Sequence, residues 1–195
     1  IGVFEMGDTG LREVANPSEV FLSERREGTP GSVVTAAMEG TRPLLIELQA
    51  LAAPTSLAYP RRVAAGIDFQ RLTLLTAVLE RRAGLKLGNQ DIYVSAAGGL
   101  KVSEPAADLG VALAVASAFR DAPVPAKSIV FGEVSLSGEV RPVGYGEKRL
   151  KEAARLGFKT AIVPKGLDAP QPKGMAIIKV ESVKQAIDLI KKGRA

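Results

Sequence analysis

The chain has no cysteine, no histidine and no tryptophan among its 195 residues. Without cysteine there is no disulfide, no thiolate zinc site and no cysteine nucleophile; without histidine there is no Ser-His-Asp triad. A hydrolase built from this chain would need a Ser-Lys, Thr-based or carboxylate mechanism. Aromatic residues make up 5%, too few for single-strand binding driven by base stacking. No apolar run reaches the roughly 18–20 residues of a membrane span, and the start lacks the basic-then-apolar order of a signal peptide. The expected compartment is the cytoplasm, with no membrane partner.

What is present is ordinary globular composition, 46% hydrophobic and 24% charged, which excludes wholesale disorder. Lys plus Arg outnumber Asp plus Glu by 26 to 21. The excess is uneven. Residues 1–60 hold four basic and eight acidic side chains, a net of −4; residues 61–195 hold 22 and 13, a net of +9. A basic segment of that kind fits a polyanion partner, and solubility is the alternative reading. The chain opens Ile1-Gly2 rather than on Met, so it is expected to be a piece of something longer.

The order of elements is legible. GVFEMGDTGLREV reads as a hairpin about Gly7-Asp8-Thr9-Gly10, and NPSEVFLSER as a short helix with Asn16 or Ser18 as N-cap. SVVTAAMEGTRPLLIELQALAA reads as two strands joined at Glu39 to Pro43. Arg61 to Gly66 is a short strand, and Asp68 caps a helix to Ala83 that Gly84 ends. DIYVSAAGGLKV gives a strand, a Gly98-Gly99 turn and a short return strand. Asp108 is expected to cap an almost wholly apolar helix to Phe119, buried on all sides. SIVFGEVSLSGEVRPV reads as two strands about Ser137-Gly138, followed by a basic helix in EKRLKEAARLGF, strands in TAIVP and MAIIKV, and a last helix in ESVKQAIDLIKKG. Strands and helices alternate from Arg61 onward, which gives an α/β domain with a mixed sheet over 61–195, preceded by a hairpin and short-helix segment over 1–60.

Phosphate-binding loops are not readable. Gly98-Gly99-Leu100-Lys101 lacks the GxxxxGK[ST] spacing, and no GxGxxG precedes a helix. A glycine strand turn is the simpler reading. More specific is the run KVSEPAADLGVALAVAS followed by IVFGEVSLSGEVRPVGYGEKRLKEAARLGFKTAIVPKG. From Arg61 to Val180 this resembles the proteolytic domain of Lon-type proteases, a Lon proteolytic-domain-like fold named after the second domain of a small-subunit ribosomal protein. That family uses a serine at the N-terminus of the buried helix and a lysine at the start of the basic helix. Anchoring on Gly110 puts Asp108 at the serine position, and anchoring on Pro142-Val143-Gly144 puts Glu147 at the lysine position. The resemblance therefore implies a Lon-like scaffold without its protease dyad: catalytic residues none, with Asp108 as a helix cap and Glu147 as a first-turn carboxylate.

The first sixty residues, VFEMGDTGLREVANPSEVFLSER and GSVVTAAMEGTRPLLIELQALAAPTS, resemble the bacterial RadA (Sms) family, which joins a zinc finger, a RecA-like ATPase and a C-terminal Lon-like domain. The zinc finger, the Walker motifs and that family's KNRFG motif are absent from the chain. The resemblance implies the C-terminal domain alone, holding no cofactor or metal of its own; ATP, Mg and Zn belong to the upstream domains of a DNA-dependent ATPase. It further implies recombinational DNA repair, branch migration, a hexameric ring, and a recombinase or replicative helicase as partners of the full-length protein.

For this segment the expectation is sequence-nonspecific DNA binding through basic side chains in loops and at strand ends, Arg42, Arg61, Arg62, Lys101 and Arg141, joined by the weaker, helix-borne Lys148. Arg81, Arg82, Arg149 and Lys151 on helices are weaker candidates. Two alternatives stand beside it: a pure oligomerisation scaffold using the apolar strands at 32–53, and a Ser-Lys peptidase using Ser95 or Ser103 with Lys101 or Lys148.

Overall fold

The computed structural model describes residues 4–7, 10–14, 16–56 and 58–190. The first hairpin forms from β1 (Phe4–Gly7) and β2 (Gly10–Glu13), with Met6 opposite Leu11 and both side chains exposed. Asp8 and Thr9 of its expected turn lie outside the described residues. Asn16 occupies the N-cap of α1 (Pro17–Leu22); Ser18 is buried and bonded instead to Leu45 N and Glu152.

The body is a seven-stranded sheet of order β11-β10-β7-β3-β4-β6-β5. Its strands are β3 (Ser32–Glu39), β4 (Arg42–Pro54), β5 (Arg62–Ala65), β6 (Gln90–Ala96), β7 (Ser128–Val130), β10 (Thr160–Pro164) and β11 (Ala176–Val180). Only β4 runs against the others, antiparallel to β3 on one side and β6 on the other. The remaining pairs are all parallel. The loop between β4 and β5 contains the boundary expected at residue 60, and β3 and β4 on its near side are central strands of the same sheet.

Alternation along the strands sends side chains to opposite faces. Val33, Ala37, Ile46, Leu48, Ile92, Val94 and Ile162 meet α2 (Phe69–Ala83), α3 (Asp108–Arg120) and α5 (Val183–Asp188) on one face. Val34, Ala36, Leu45, Ile129 and Val163 meet α4 (Gly146–Arg155) on the other. Each fully buried leucine in these layers stabilises the fold by roughly 1.5–3 kcal/mol. The second face is covered only in part. Leu51 of β4 lies opposite Tyr93 of β6, which lies opposite Val63 of β5, and Leu51 and Val63 stay 60% and 45% exposed.

Asp68 caps α2 by accepting from Arg71 N, and Gly84 ends it in the left-handed region. Phe69, its first residue, is exposed. As its composition requires, α3 is buried continuously from Asp108 to Ser117. It approaches β3 and β4 so closely that a Cβ on Gly110 would lie 3.0 Å from Leu48 of β4 and 3.2 Å from Thr35 of β3.

Three local expectations are corrected. The return strand after Gly98-Gly99 is no ladder: both glycines take positive φ in a 3₁₀ turn, and Val102 makes a single bridge to Ile67. The run at 128–143 splits, with β7 joining the main sheet and β8 (Glu133–Val134) pairing with β9 (Val140–Arg141) as a separate hairpin. Asp108 does not cap α3, because it already has helical φ/ψ and Ala107 stands at the N-cap. The last helix is short, with Ser182 as its cap accepting from Gln185 N; residues 191–195 lie outside the described residues. Among those described, no helix is long and apolar enough to cross a membrane, and no group of three acidic side chains could hold a metal ion.

Candidate functional site

Six of the seven strands point the same way, so the loops leaving β3, β6 and β7 gather at one carboxyl edge, where open α/β sheets present their crevices. Gly66 sets the path of the loop after β6. Its φ is +74°, and a Cβ there would stand 2.2 Å from Leu100 O, while Val102 N donates to Gly66 O at 2.7 Å. A residue with a side chain would push the 100–103 loop away from the sheet.

Two ion pairs flank the positions that the Lon resemblance assigns to a dyad: one includes Asp108 itself, the other is Arg149–Glu104, two residues along α4 from Glu147. At the start of α3, the Asp108 carboxylate is 3% exposed and accepts from Arg71 Nε at 2.7 Å, from Arg71 Nη2 and from Val134 N at 3.1 Å. Arg71 Nη2 also donates to Val134 O at 2.9 Å. The carboxylate therefore ties α2 and β8 to α3 rather than facing a substrate. Arg71 is thereby turned inward from α2 toward the start of α3.

Burial pushes the Asp108 carboxyl above the ordinary carboxylate range, and Arg71 and the Val134 amide pull it back only in part. A carboxyl raised on folding binds its proton more tightly in the native state. The stability it contributes is full below the ordinary Asp value and is lost as pH rises through the raised one. The urea midpoint of the parent minus that of Asp108→Asn is therefore expected to fall as pH rises above the ordinary Asp value of about 3.9; a difference that climbs with pH contradicts it.

The second pair sits at the start of α4. Glu147 is exposed and bridges Lys151 one turn along at 2.6 Å, so it faces solvent as a first-turn carboxylate. The buried group is Arg149, only 2% exposed and not the solvated charge its neighbours suggest. It donates to Glu104 Oε1 and Oε2 at 2.7 and 2.8 Å, to Gly144 O at 3.0 Å and to Ala36 O. Glu104 Oε1 accepts in addition from Met38 N at 2.6 Å. Between the two pairs lies a cleft of about 240 Å³, lined by Ser103, Glu104, Asp108 and Glu133 among others.

The basic candidates divide by position. Arg42 opens β4 at the β3–β4 tip. Lys148 reaches the same tip, with Nζ 3.4 Å from Thr41 O and 5.2 Å from the Tyr145 ring centre. Lys101 is exposed and borders a hollow with Met38 and Glu39 of that hairpin. Arg141 lies at the same end of the sheet on β9, exposed and paired with Glu139 at 3.2 Å. Arg61 and Arg62 lie at the other end. Arg61 O accepts from Ile92 N, and Ile92 pairs with Ala52, ten residues along β4 from Arg42 and so roughly 30 Å away. Arg62 is further committed, its guanidinium donating to Arg61 O, Gln90 O and Leu87 O.

Arg71 and Glu104 are not among the candidates read from the sequence, and Arg149 is there only as an exposed helix cation. Helical spacing carries a signal for Arg149: Gly146, Arg149, Leu150 and Ala153 form one stripe, which is the buried face of α4. Glu104, outside any regular element in the sequence, carries no such signal.

Residues 66–166, from Gly66 through α4 and β10, match the family model described as Subunit ChlI of Mg-chelatase. The chain is 54% identical over 189 residues to the DNA repair protein RadA of Bacillus subtilis, covering 96% of this chain and 41% of that protein. It is 49% identical over 191 residues to the Escherichia coli protein of the same name, covering 97% and 41%, and 52% identical over 187 residues to that of Synechocystis, covering 96% and 37%. The chain thus spans about two fifths of the length of the curated relatives it matches. Over residues 66–166 it belongs to the family described as Subunit ChlI of Mg-chelatase, in a form about half identical to proteins named DNA repair protein RadA.

Proposed function

We propose that this chain is a non-catalytic module of a DNA repair ATPase, binding DNA without sequence preference along the carboxyl edge of its sheet and taking part in assembly of a hexameric ring. The observation that carries the reading is the gathering of Arg42, Lys101 and Lys148 around one hairpin tip, with Arg141 at the same end of the sheet. The repair context comes from the relatives named DNA repair protein RadA. ATP hydrolysis and any metal belong to the remaining length of such a protein.

Absence of peptidase chemistry in this segment is part of the proposal. The start of α3 offers a carboxylate held by Arg71 rather than a hydroxyl, and Ser103 is an exposed loop residue. Casein incubated with the protein is expected to remain intact. Cleavage abolished by Ser95→Ala or Ser103→Ala would overturn that part.

Phosphate contacts release counterions, so affinity should fall linearly in log–log form with salt, by about 0.9 per contact on duplex DNA. Anisotropy titration of labelled DNA over a salt series is expected to give a slope of about −3 to −4. No affinity at low salt would overturn the reading. A second reading, a scaffold whose partner domain alone binds DNA, is favoured by the Leu51–Tyr93–Val63 row, in which Leu51 and Val63 are exposed and Tyr93 is half-buried. It would be supported if Leu51→Glu breaks the oligomer while the basic edge proves dispensable.

A further inference from the structure

We infer that the buried Arg149–Glu104 pair is the positioning element of this basic edge, setting the relative placement of Arg42, Lys101 and Lys148; the inference rests on the DNA-binding reading. The pair joins three segments: Arg149 belongs to α4, Glu104 follows the loop that holds Lys101, and both bond to the backbone of β3, the strand that leads into the turn before Arg42. Arg149 Nη1 donates to Ala36 O, and Met38 N donates to Glu104 Oε1 at 2.6 Å, so both partners hold β3 just before the turn to Arg42. Arg149 Nε donates to Gly144 O at 3.0 Å, fixing the entry to α4 one residue before Tyr145, whose ring lies under Lys148.

The forked geometry matters as much as the charge. Two near-parallel bonds of 2.7 and 2.8 Å define an orientation as well as a distance. Phe131 closes the assembly from the sheet, its ring centre 5.8 Å from the guanidinium carbon. The Arg71–Asp108 pair makes a contrast: it joins α2, α3 and β8 and touches none of the three basic segments.

A positioning role predicts coupling, which a merely stabilising role does not. In the parent, Lys148→Ala is expected to weaken binding of a labelled DNA duplex about fivefold, the size of one charged contact. In a Glu104→Gln background, at a temperature where circular dichroism shows it folded, the same Lys148→Ala change is expected to cost less than twofold. In an Asp108→Asn background it should still cost about fivefold, because that variant loosens a different pair. Should Glu104→Gln fail to fold, Arg149→Lys, which keeps the charge and loses the fork, carries the same cycle. Equal Lys148→Ala effects in the parent and in the Glu104→Gln or Arg149→Lys background overturn the positioning role alone. No effect of Lys148→Ala in the parent overturns the DNA reading and this inference with it.

Discussion

Arg149→Met is expected to lower the unfolding free energy by about 3 kcal/mol, the low end of the range for breaking a buried ion pair. The low end applies because the Glu104 side chain keeps 25% of its surface exposed and can recover some water. The change removes donors from both Glu104 oxygens and leaves Gly144 O and Ala36 O without the guanidinium. Against a typical total of 5–15 kcal/mol this is a large fraction. The neighbouring Lys148→Met, on the exposed side of the same helix, is expected to change stability by less than about 0.5 kcal/mol. Chemical denaturation followed by circular dichroism separates the two. A further Glu104→Gln in the Arg149→Met protein should restore part of the loss, because it removes the unpaired buried charge. Equal stabilities of the Arg149→Met and Lys148→Met proteins would contradict the assignment of the buried pair.

The second large effect concerns DNA. Replacing Arg42, Lys101 and Lys148 together by Ala removes three cationic contacts from one edge. At about 1 kcal/mol or slightly less each, affinity at low salt should fall on the order of 100-fold. The salt slope should flatten by about 2.7, since each duplex phosphate contact contributes about 0.9. Lys101→Ala and Lys148→Ala by themselves should barely move stability, because both residues are exposed. Arg61→Ala, at the opposite end of the sheet, should leave both affinity and slope unchanged. An unaltered slope in the triple variant would remove the carboxyl edge from consideration and leave the scaffold reading in place.

Much of the architecture is legible from local chemistry. Asp68 and Gly84 bracket α2 as a cap and a left-handed stop must, and the unbroken apolar run of α3 could only be a buried helix. The chemistry of the site is less legible, because its decisive contacts are long-range. Arg149 and Lys148 are adjacent in a basic helix and look alike as charges. What separates them is a carboxylate 45 residues earlier in the chain. Asp108 fits every local rule for a helix cap, yet it stands one residue inside α3 with Arg71 as its partner. Arg61 and Arg62 fit the pattern of stranded loop cations, and only the direction of β5 relative to β4 shows that they face the other end of the sheet. The lack of cysteine and histidine narrows the chemistry, but it carries no information about which charges the fold buries.

The absence of cysteine makes the central claim directly measurable, because a single introduced thiol is the only one present. Ser103→Cys puts a photo-crosslinker on the carboxyl edge without removing any basic group. Tyr59→Cys, at a residue 88% exposed near the amino end of β5, serves as the distant reporter. Irradiation with bound DNA at low salt is predicted to crosslink from position 103 and not from position 59. Crosslinking from position 59 with none from position 103 would contradict the placement of DNA on this edge.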